Sequence, residues 1–360
     1  MTRIETQGSA PSWLQNTWYQ VAWSSELGCE TALTRTVLGR SLLMFRDATG
    51  APKALLNRCP HRFAPLSAGT IAGGVVRCGY HGLAFEGSGR CVDNPHGPIT
   101  SAMRARAYPV LERHAALWVW FGTGEPEGGL LPDLSFIDET PETARITGYL
   151  PTRADYQLVV DNIMDLSHAD YLHPNSLGGM MTGARTSIKE DGGAVTVEWL
   201  AENCTPPPAF HSMVRPPAKA DIWTEVAWHA PGLMILSTWA KEAGKARDPA
   251  NLALTLHNVT PADERSSHYF FCSARKFNVA DAEFNALLGQ IITRAFEEED
   301  KPMLEQQQAN MAAADFWSLQ PVLLNIDSAA VRVRRMLARL IDTERTSEAA
   351  TAVRGAAREL

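Results

Sequence analysis

Features that would place the chain in a membrane or on a nucleic acid are missing from its sequence. No run of about 18 apolar residues occurs, so we expect no membrane-spanning segment. Residues 1–13 lack the apolar core of a secretory signal. The net charge is −7, the pI is near 5.8, and no basic stretch occurs. This charge pattern argues against a nucleic-acid partner.

Cysteine is also scarce, with 6 residues in a chain of 360. Two of them belong to the motif described below, and the other four are scattered without a framework spacing: Cys29, Cys91, Cys204 and Cys272. We therefore expect reduced thiols and a cytoplasmic protein rather than a disulfide framework. No G-x-G-x-x-G fingerprint stands at a strand-to-helix junction, so neither a flavin nor a nicotinamide domain is indicated.

Length and patterning predict two domains and an α+β class. We expect a flexible arm at residues 1–15 and a small all-β domain at residues 16–130, where short strands alternate with Gly-rich turns. A second domain at residues 131–342 is expected to combine an antiparallel sheet with covering helices, followed by a C-terminal tail at residues 343–360. One strand is predicted across Thr36–Phe45, and helices are predicted near residues 158–171, 280–308 and 328–341.

Two short motifs interleave cysteine with histidine: Cys59-Pro-His61 and Cys78-Gly-Tyr-His81. Two thiolates and two imidazoles are the ligands of a Rieske [2Fe-2S] cluster, in which one iron takes the cysteines and the other takes the histidines. A zinc site is the alternative, although common zinc fingers pair Cys with Cys and His with His.

A second candidate metal site lies near residues 161–174, where His168 and His173 are five residues apart. On a regular helix the two would point about 140° apart. Either a π-bulge or a break in the helix is therefore needed for both to reach one ion, and Pro174 favours a break. Asp165 is expected to hold an imidazole N–H. The alternative is an acidic surface helix with two incidental histidines.

Two histidines and one carboxylate form the facial triad of mononuclear Fe(II) sites. Four acidic residues in the stretch 296–303 are candidates for the carboxylate. Relative to an apolar stripe of Ile292, Phe296 and Met303, helical periodicity places both Glu299 and Asp300 near the stripe and does not choose between them.

These motifs resemble those of Rieske non-heme iron oxygenases. The resemblance extends from Trp18 to Asp327 and is strongest to the group of vanillate O-demethylase, dicamba monooxygenase and toluenesulfonate methyl-monooxygenase. The stretch Asn162-Ile-Met-Asp-Leu-Ser-His168-Ala-Asp-Tyr-Leu-His173 resembles the Asn-Leu-Met-Asp-Leu-x-His-x-x-x-x-His pattern of the vanillate demethylase and dicamba monooxygenase group. The resemblance implies a Rieske domain at residues 16–130, a catalytic mononuclear iron domain at residues 131–342, and Asp300 as the third iron ligand.

The resemblance also implies roles for further residues. Electrons would come from a separate reductase or ferredoxin and would pass through His81 and Asp165 between subunits of a homotrimer. Asn162 would lie near the iron, and His257 would line the substrate site. Ile291 would stand where a relative has a pocket tryptophan.

The implied reaction is that of the terminal oxygenase component of a monooxygenase, which hydroxylates or O-demethylates a small aromatic compound with O2. The resemblance favours an aromatic acid as substrate. N-dealkylation and methyl or ring hydroxylation stay open as alternatives. A Rieske electron carrier without oxygenase chemistry and a zinc-stabilised binding protein are further alternatives.

Overall fold

A computed structural model describes residues 13–126 and 128–356. The chain divides into two compact units. The first contains the chain up to Leu131, together with Ala262–Glu264 and the residues from Leu340 onward. The second contains Pro132–Pro261 and Arg265–Arg339. Within the described part of the chain, no helix has both the length and the apolar character required to cross a bilayer.

The described residues of the first unit form eleven short strands in three antiparallel sheets, ordered β1-β11-β10, β2-β3-β4-β9 and β5-β6-β7-β8. The strands are β1 Trp18–Trp23, β2 Leu33–Val37, β3 Arg40–Arg46, β4 Pro52–Leu56, β5 Thr70–Ala72, β6 Val75–Arg77, β7 Ala84–Phe85, β8 Cys91–Asp93, β9 Ala107–Tyr108, β10 Val110–Arg113 and β11 Ala116–Trp120.

The single strand expected across Thr36–Phe45 is wrong, because the chain reverses within it. Leu38 and Gly39 have φ values of 50° and 69° and form a two-residue turn between β2 and β3. A two-residue turn with positive φ at both positions matches the twist of the strands that it joins. The turn was missed because only its second residue is glycine.

The second unit is organised by a seven-stranded antiparallel sheet of order β12-β18-β17-β16-β15-β14-β13. Its strands are β12 Arg145–Thr152, β13 Arg185–Asp191, β14 Ala194–Cys204, β15 Ala220–His229, β16 Leu233–Glu242, β17 Leu252–Asp263 and β18 Ser266–Arg275. The α+β class expected from the sequence is thereby confirmed. Strand β12 was not expected.

Helices accompany this sheet: α1 Ser135–Glu139, α2 Tyr156–Met164, α3 Ala169–Leu172, α4 Ala282–Thr293, α5 Lys301–Met311 and α6 Ser328–Ala356. A π-helix, Arg294–Asp300, joins α4 to α5. Helix α6 continues well past Ile341, so the residues expected as a tail are helical to Ala356. Residues 1–12 of the expected arm and residues 357–360 of that tail lie outside the described residues.

Helix α2 is held in place by a charged contact with α6. The Arg334 guanidinium donates to both carboxylate oxygens of Asp161 at 2.6–3.0 Å, and it lies 4.2 Å from the centre of the Phe316 ring. The Arg334 side chain is only 7% exposed. A charge-assisted bidentate pair in such a position fixes both partners. Asp161 directly precedes Asn162, so this contact sets the position of the helix that leads into the candidate iron site.

We expect Arg334→Met to lower the free energy of unfolding by about 3 kcal/mol, since it leaves the Asp161 carboxylate buried without its partner. The matched Arg332→Met variant loses only a more exposed pair with Glu190 at 3.5 Å and should cost less than about 1 kcal/mol. Chemical denaturation followed by circular dichroism measures both. Equal losses in the two variants would contradict the role assigned to Arg334.

Candidate iron site and cluster loops

The stretch that carries the two histidines is a broken helix. Helix α2 ends at Met164, and Asp165 is extended with φ −131° and ψ 95°. A 3-10 turn, Leu166–His168, and helix α3 follow, and α3 ends at His173 with φ −119° and ψ 44°. Neither expected solution is found between the two histidines: the chain stays helical from Leu166 to Leu172 without a π-bulge, and it leaves the helical conformation at His173 itself.

A π-helix occurs instead in the acidic stretch, where the backbone N–H of Lys301 bonds the carbonyl of Phe296 five residues earlier. Because a π-helix has more residues per turn than an α-helix, the apolar face of the following helix is displaced by one residue in the sequence. Phe296 is therefore followed on the same side by Asp300 and buried Leu304, whereas Met303 is 52% exposed. The assignment of Met303 to the stripe is wrong for this reason.

Three donor groups converge where these segments meet. One atom from each of His168, His173 and Asp300 lies within 4.8 Å of the others. Asp300 Oδ1 is 3.2 Å from His173 Nε2 and 3.4 Å from His168 Nε2. Asn162 stands beside them, its Nδ2 donating to Asp300 Oδ1 at 3.2 Å. His173 and Asp300 are buried.

The opposite nitrogen of each imidazole is engaged outside this cluster. His168 Nδ1 bonds the main-chain carbonyl of Asp165 at 2.6 Å, and His173 Nδ1 bonds Glu299 Oε2 at 2.7 Å. Each contact requires an Nδ1–H, so both Nε2 lone pairs are left for a metal. Burial lowers the pKa of His173, but hydrogen bonds and charges from Asp300 and Glu299 outweigh burial and raise it above its ordinary value.

The expected role of Asp165 needs a correction. Its carbonyl oxygen, not its carboxylate, holds the imidazole of His168. The carboxylate accepts the backbone N–H of Ser167 at 3.0 Å and caps the 3-10 turn. The side chain thus shapes the turn that presents His168. The sequence also allows Glu299 as the third iron ligand. In the structure its carboxylate instead hydrogen-bonds to the outer nitrogen of His173, so Glu299 is positioned to support that imidazole.

A cavity of about 170 Å³ opens beside the three donors. Its walls are mostly apolar, and the β-sheet contributes neutral polar groups. The lining residues are Ile163, Leu166, His168, Ala169, His173, Leu177, Met180, Met181, Ala209, Phe210, Met213, Thr224, Leu236, Thr238, Ala253, Thr255, His257, Ser273, Phe277, Phe284, Leu288, Ile292, Phe296 and Asp300.

Two sequence expectations concern this cavity. His257 lines it, but Ile291 does not. Leu288 and Ile292 lie one helical turn apart on α4 and face the cavity, whereas a residue directly before Ile292 is rotated by about 100°. The expectation for Ile291 is therefore corrected to Ile292.

His257 forms a buried pair with Tyr269 on the neighbouring strand. The two are joined by a 2.6 Å hydrogen bond between His257 Nδ1 and the phenol oxygen. Burial lowers the pKa of His257 to about 3 and raises the pKa of Tyr269 well above its ordinary value, so both are neutral at pH 7. His257 Nε2 and the hydroxyl of Thr224 are buried without a protein partner. The sequence analysis does not identify Tyr269 or Thr224. Thr224 belongs to a strand with period-2 burial, whereas nearly every residue on the strand of Tyr269 is buried.

The cysteine–histidine motifs of the first unit form two equivalent loops. The Cys59 N–H bonds the Ala64 carbonyl and the Cys78 N–H bonds the Leu83 carbonyl, each at 2.8 Å. Both thiols are buried, and the rings of His61 and His81 have centres 4.6 Å apart. The two loops therefore bring all four expected ligands together in pairs.

The donor sets fit the metals that they were expected to hold. Among the described atoms, His81 Nδ1 is buried with no protein partner, as a cluster ligand would be. Two neutral imidazoles and a carboxylate suit a mononuclear Fe(II) with open positions. A Rieske-type cluster domain followed by such a site defines the class of Rieske non-heme iron oxygenases.

Comparisons with known proteins agree with this class. Residues 17–103 match the Rieske [2Fe-2S] domain, and residues 152–343 match the vanillate O-demethylase oxygenase C-terminal domain. The oxygenase component of chloroacetanilide N-alkylformylase from Rhizorhabdus wittichii is 37% identical, over 92% of this chain and 96% of the relative. The oxygenase component of dicamba O-demethylase from Stenotrophomonas maltophilia is 33% identical, over 92% and 99%.

A crystal structure of dicamba monooxygenase bound to 3,6-dichlorosalicylic acid superimposes with a TM-score of 0.85 at 32% identity, over 92% of this chain and 98% of that one. The chain belongs to the vanillate O-demethylase family of Rieske oxygenase components. Its cofactors are a Rieske [2Fe-2S] cluster and a mononuclear non-heme iron. It is an oxidoreductase of the monooxygenase type.

We expect Glu299→Gln to weaken iron retention at the mononuclear site about 10–100-fold, because an amide is a poorer acceptor for the His173 N–H than a carboxylate. Competition with a chelator, followed by iron analysis, measures the loss. Glu298→Gln changes an exposed neighbour in the same π-helix and should retain iron like the unchanged protein. Equal retention in both variants would show that the Glu299 contact does not support the ligand.

Proposed function

We propose that the chain is the terminal oxygenase that hydroxylates or oxidatively demethylates a small aromatic compound, with His168, His173 and Asp300 as the iron ligands. The observation that carries the proposal is the convergence of these three donors beside a cavity of about 170 Å³. A cavity of about 150 Å³ holds one benzene molecule. The volume therefore suits a single substituted ring next to the iron.

Cys59, His61, Cys78 and His81 would hold the cluster. The bound mononuclear iron supplies the activation of dioxygen. The residues around it have three tasks. Glu299 and the Asp165 carbonyl orient the imidazoles. Asn162 steadies Asp300. The apolar walls exclude water, which protects a reactive site from side reactions.

The proposed reaction on a methyl ether consumes one O2, two electrons and two protons. One oxygen atom enters the methyl C–H bond and the other leaves as water. The resulting hemiacetal breaks its C–O bond and yields a phenol and formaldehyde. The two electrons come from a separate reductase or ferredoxin, as the component names of the relatives suggest.

N-dealkylation is the second candidate, favoured by the name of the 37% identical relative, an N-alkylformylase. Hydroxylation next to nitrogen follows the same balance and releases an aldehyde and an amine.

For electron delivery we propose a homotrimer in which the cluster of one subunit serves the iron of its neighbour through His81 and Asp165. The family resemblance supports this arrangement. The Asp165 carboxylate suits such a contact because it sits on the extended residue between α2 and the His168 turn and is half-buried. Light scattering after gel filtration tests the trimer.

Iron and acid-labile sulfide analysis after anaerobic purification tests the two-site proposal. We expect three irons and two sulfides per chain, falling to two irons and two sulfides in His168→Ala/His173→Ala. His211→Ala, which changes a histidine that does not line the cavity, should keep all three. Two irons per chain in all three proteins would support the alternative of a Rieske electron carrier without a mononuclear iron site.

The release of formaldehyde from methoxy-substituted aromatic compounds, measured with a reductase present, then tests the proposed reaction.

We expect Asp165→Asn to slow reduction of the iron site at least about tenfold while leaving iron content and melting temperature unchanged. Asparagine can still accept the Ser167 N–H, so the turn is preserved while the charge is removed. Single-turnover product yield after reduction of the cluster measures the transfer. Wild-type kinetics in this variant would remove Asp165 from the electron path.

A further inference from the structure

The protein side chains described around the cavity beside the iron site offer no positive charge. Of the described residues that line it, none is lysine or arginine, and Asp300 is the one with a carboxylate. The other polar lining groups are threonine and serine hydroxyls and three imidazoles, two of which face the metal position. A buried anion requires a paired cation or several strong donors.

His257 does not supply the missing charge. Its pKa is lowered to about 3 by burial, so the ring is neutral under physiological conditions. Among the described residues, the ring makes one hydrogen bond, the 2.6 Å contact with the Tyr269 hydroxyl. The imidazole can therefore give a ligand one hydrogen bond without a charge.

Tyr269 determines whether that hydrogen bond is donated or accepted. Within the described structure its hydroxyl contacts no acceptor other than His257 Nδ1. If Nδ1 carried the proton, the buried phenol proton would have no acceptor, which costs free energy. The phenol therefore donates to Nδ1, and His257 Nε2 carries the N–H. That N–H is buried without a protein partner, on a ring that lines the cavity.

A second unpartnered group lies on the same sheet. The Thr224 hydroxyl is buried without a partner, and Thr224 also lines the cavity. It pairs across β15 and β16 with Thr238, another lining residue. A hydroxyl can donate or accept, so this side of the cavity can satisfy a dipolar group at more than one point.

Resting on the proposed function, we infer that the substrate is an uncharged aromatic compound bearing a hydrogen-bond acceptor such as an amide or carbonyl oxygen, which accepts the Nε2–H of His257. This departs from the aromatic acid expected from the family resemblance. Away from the metal position, a carboxylate or sulfonate would lose its hydration in an apolar cavity and would find only neutral donors among the described lining side chains.

Matched ligands test the inference on the full-length, iron-loaded protein. The ortho, meta and para isomers of methoxybenzamide are compared with the same isomers of methoxybenzoate by isothermal titration calorimetry. The titrations are anaerobic and without reductant, so that binding is read separately from turnover. We expect the best amide to bind at least about tenfold more tightly than the best benzoate.

Tyr269→Phe tests the fixed tautomer. Without the phenol the ring is no longer held with its proton on Nε2, and we expect the amide affinity to fall about threefold to tenfold with little change for benzoate. Tyr149→Phe is the matched control. It removes another tyrosine–histidine hydrogen bond, to His268 at 2.9 Å, from a tyrosine that does not line the cavity. This control should keep the wild-type preference.

Benzoate binding as tight as amide binding would overturn the inference, as would failure of every amide to bind at millimolar concentration. An unchanged amide-to-benzoate ratio in Tyr269→Phe would overturn the tautomer argument. Measurements of turnover distinguish failure of this inference from failure of the proposed function. Selective amide binding with no reductase-dependent product would remove the oxygenase proposal alone. Efficient demethylation of benzoates would remove the neutral-substrate inference alone.

Discussion

Three electron-pair donors held together in a buried place are the constraint on which the second unit depends. Two imidazole nitrogens and the Asp300 carboxylate lie within 4.8 Å of one another. Such groups are costly to bury unless each is hydrogen-bonded or bound to a metal. Hydrogen bonds offset this cost on the outer side of the imidazoles, where Glu299 and the Asp165 carbonyl accept from the Nδ1–H groups. The inner side is left for the iron.

Regular helices could not produce this convergence, and the chain departs from them at both places that supply the proposed ligands. The break at Asp165 reorients the chain before His168, and the π-helix turns Asp300 inward with Glu299 beside it. The Arg334–Asp161 pair holds α2, which leads into the break. Irregular backbone is concentrated at the site because regular periodicity there would point the donors apart.

The cavity joins this metal chemistry to recognition. Burial keeps the His257–Tyr269 pair neutral, and the same desolvation would penalise an anionic ligand in the proposed substrate site. The sheet supplies hydrogen-bonding groups on one side, and the helices supply aromatic and aliphatic side chains. Recognition and exclusion of water therefore come from one set of residues.

The sequence by itself determined the class of protein and the α+β architecture, and it indicated the two stretches that carry the proposed ligands, because short Cys/His spacings and paired histidines follow from coordination chemistry. It left open a bulge or a break between His168 and His173, and it left Glu299 beside Asp300. The tertiary structure shows helix α3 ending at His173 and Glu299 hydrogen-bonded to the outer nitrogen of that histidine. The π-helix shifts the helical phase after Phe296 by one residue, so Leu304 rather than Met303 is buried. The pairing of His257 with Tyr269 likewise required the sheet, since a contact between neighbouring strands has no local signal in the chain.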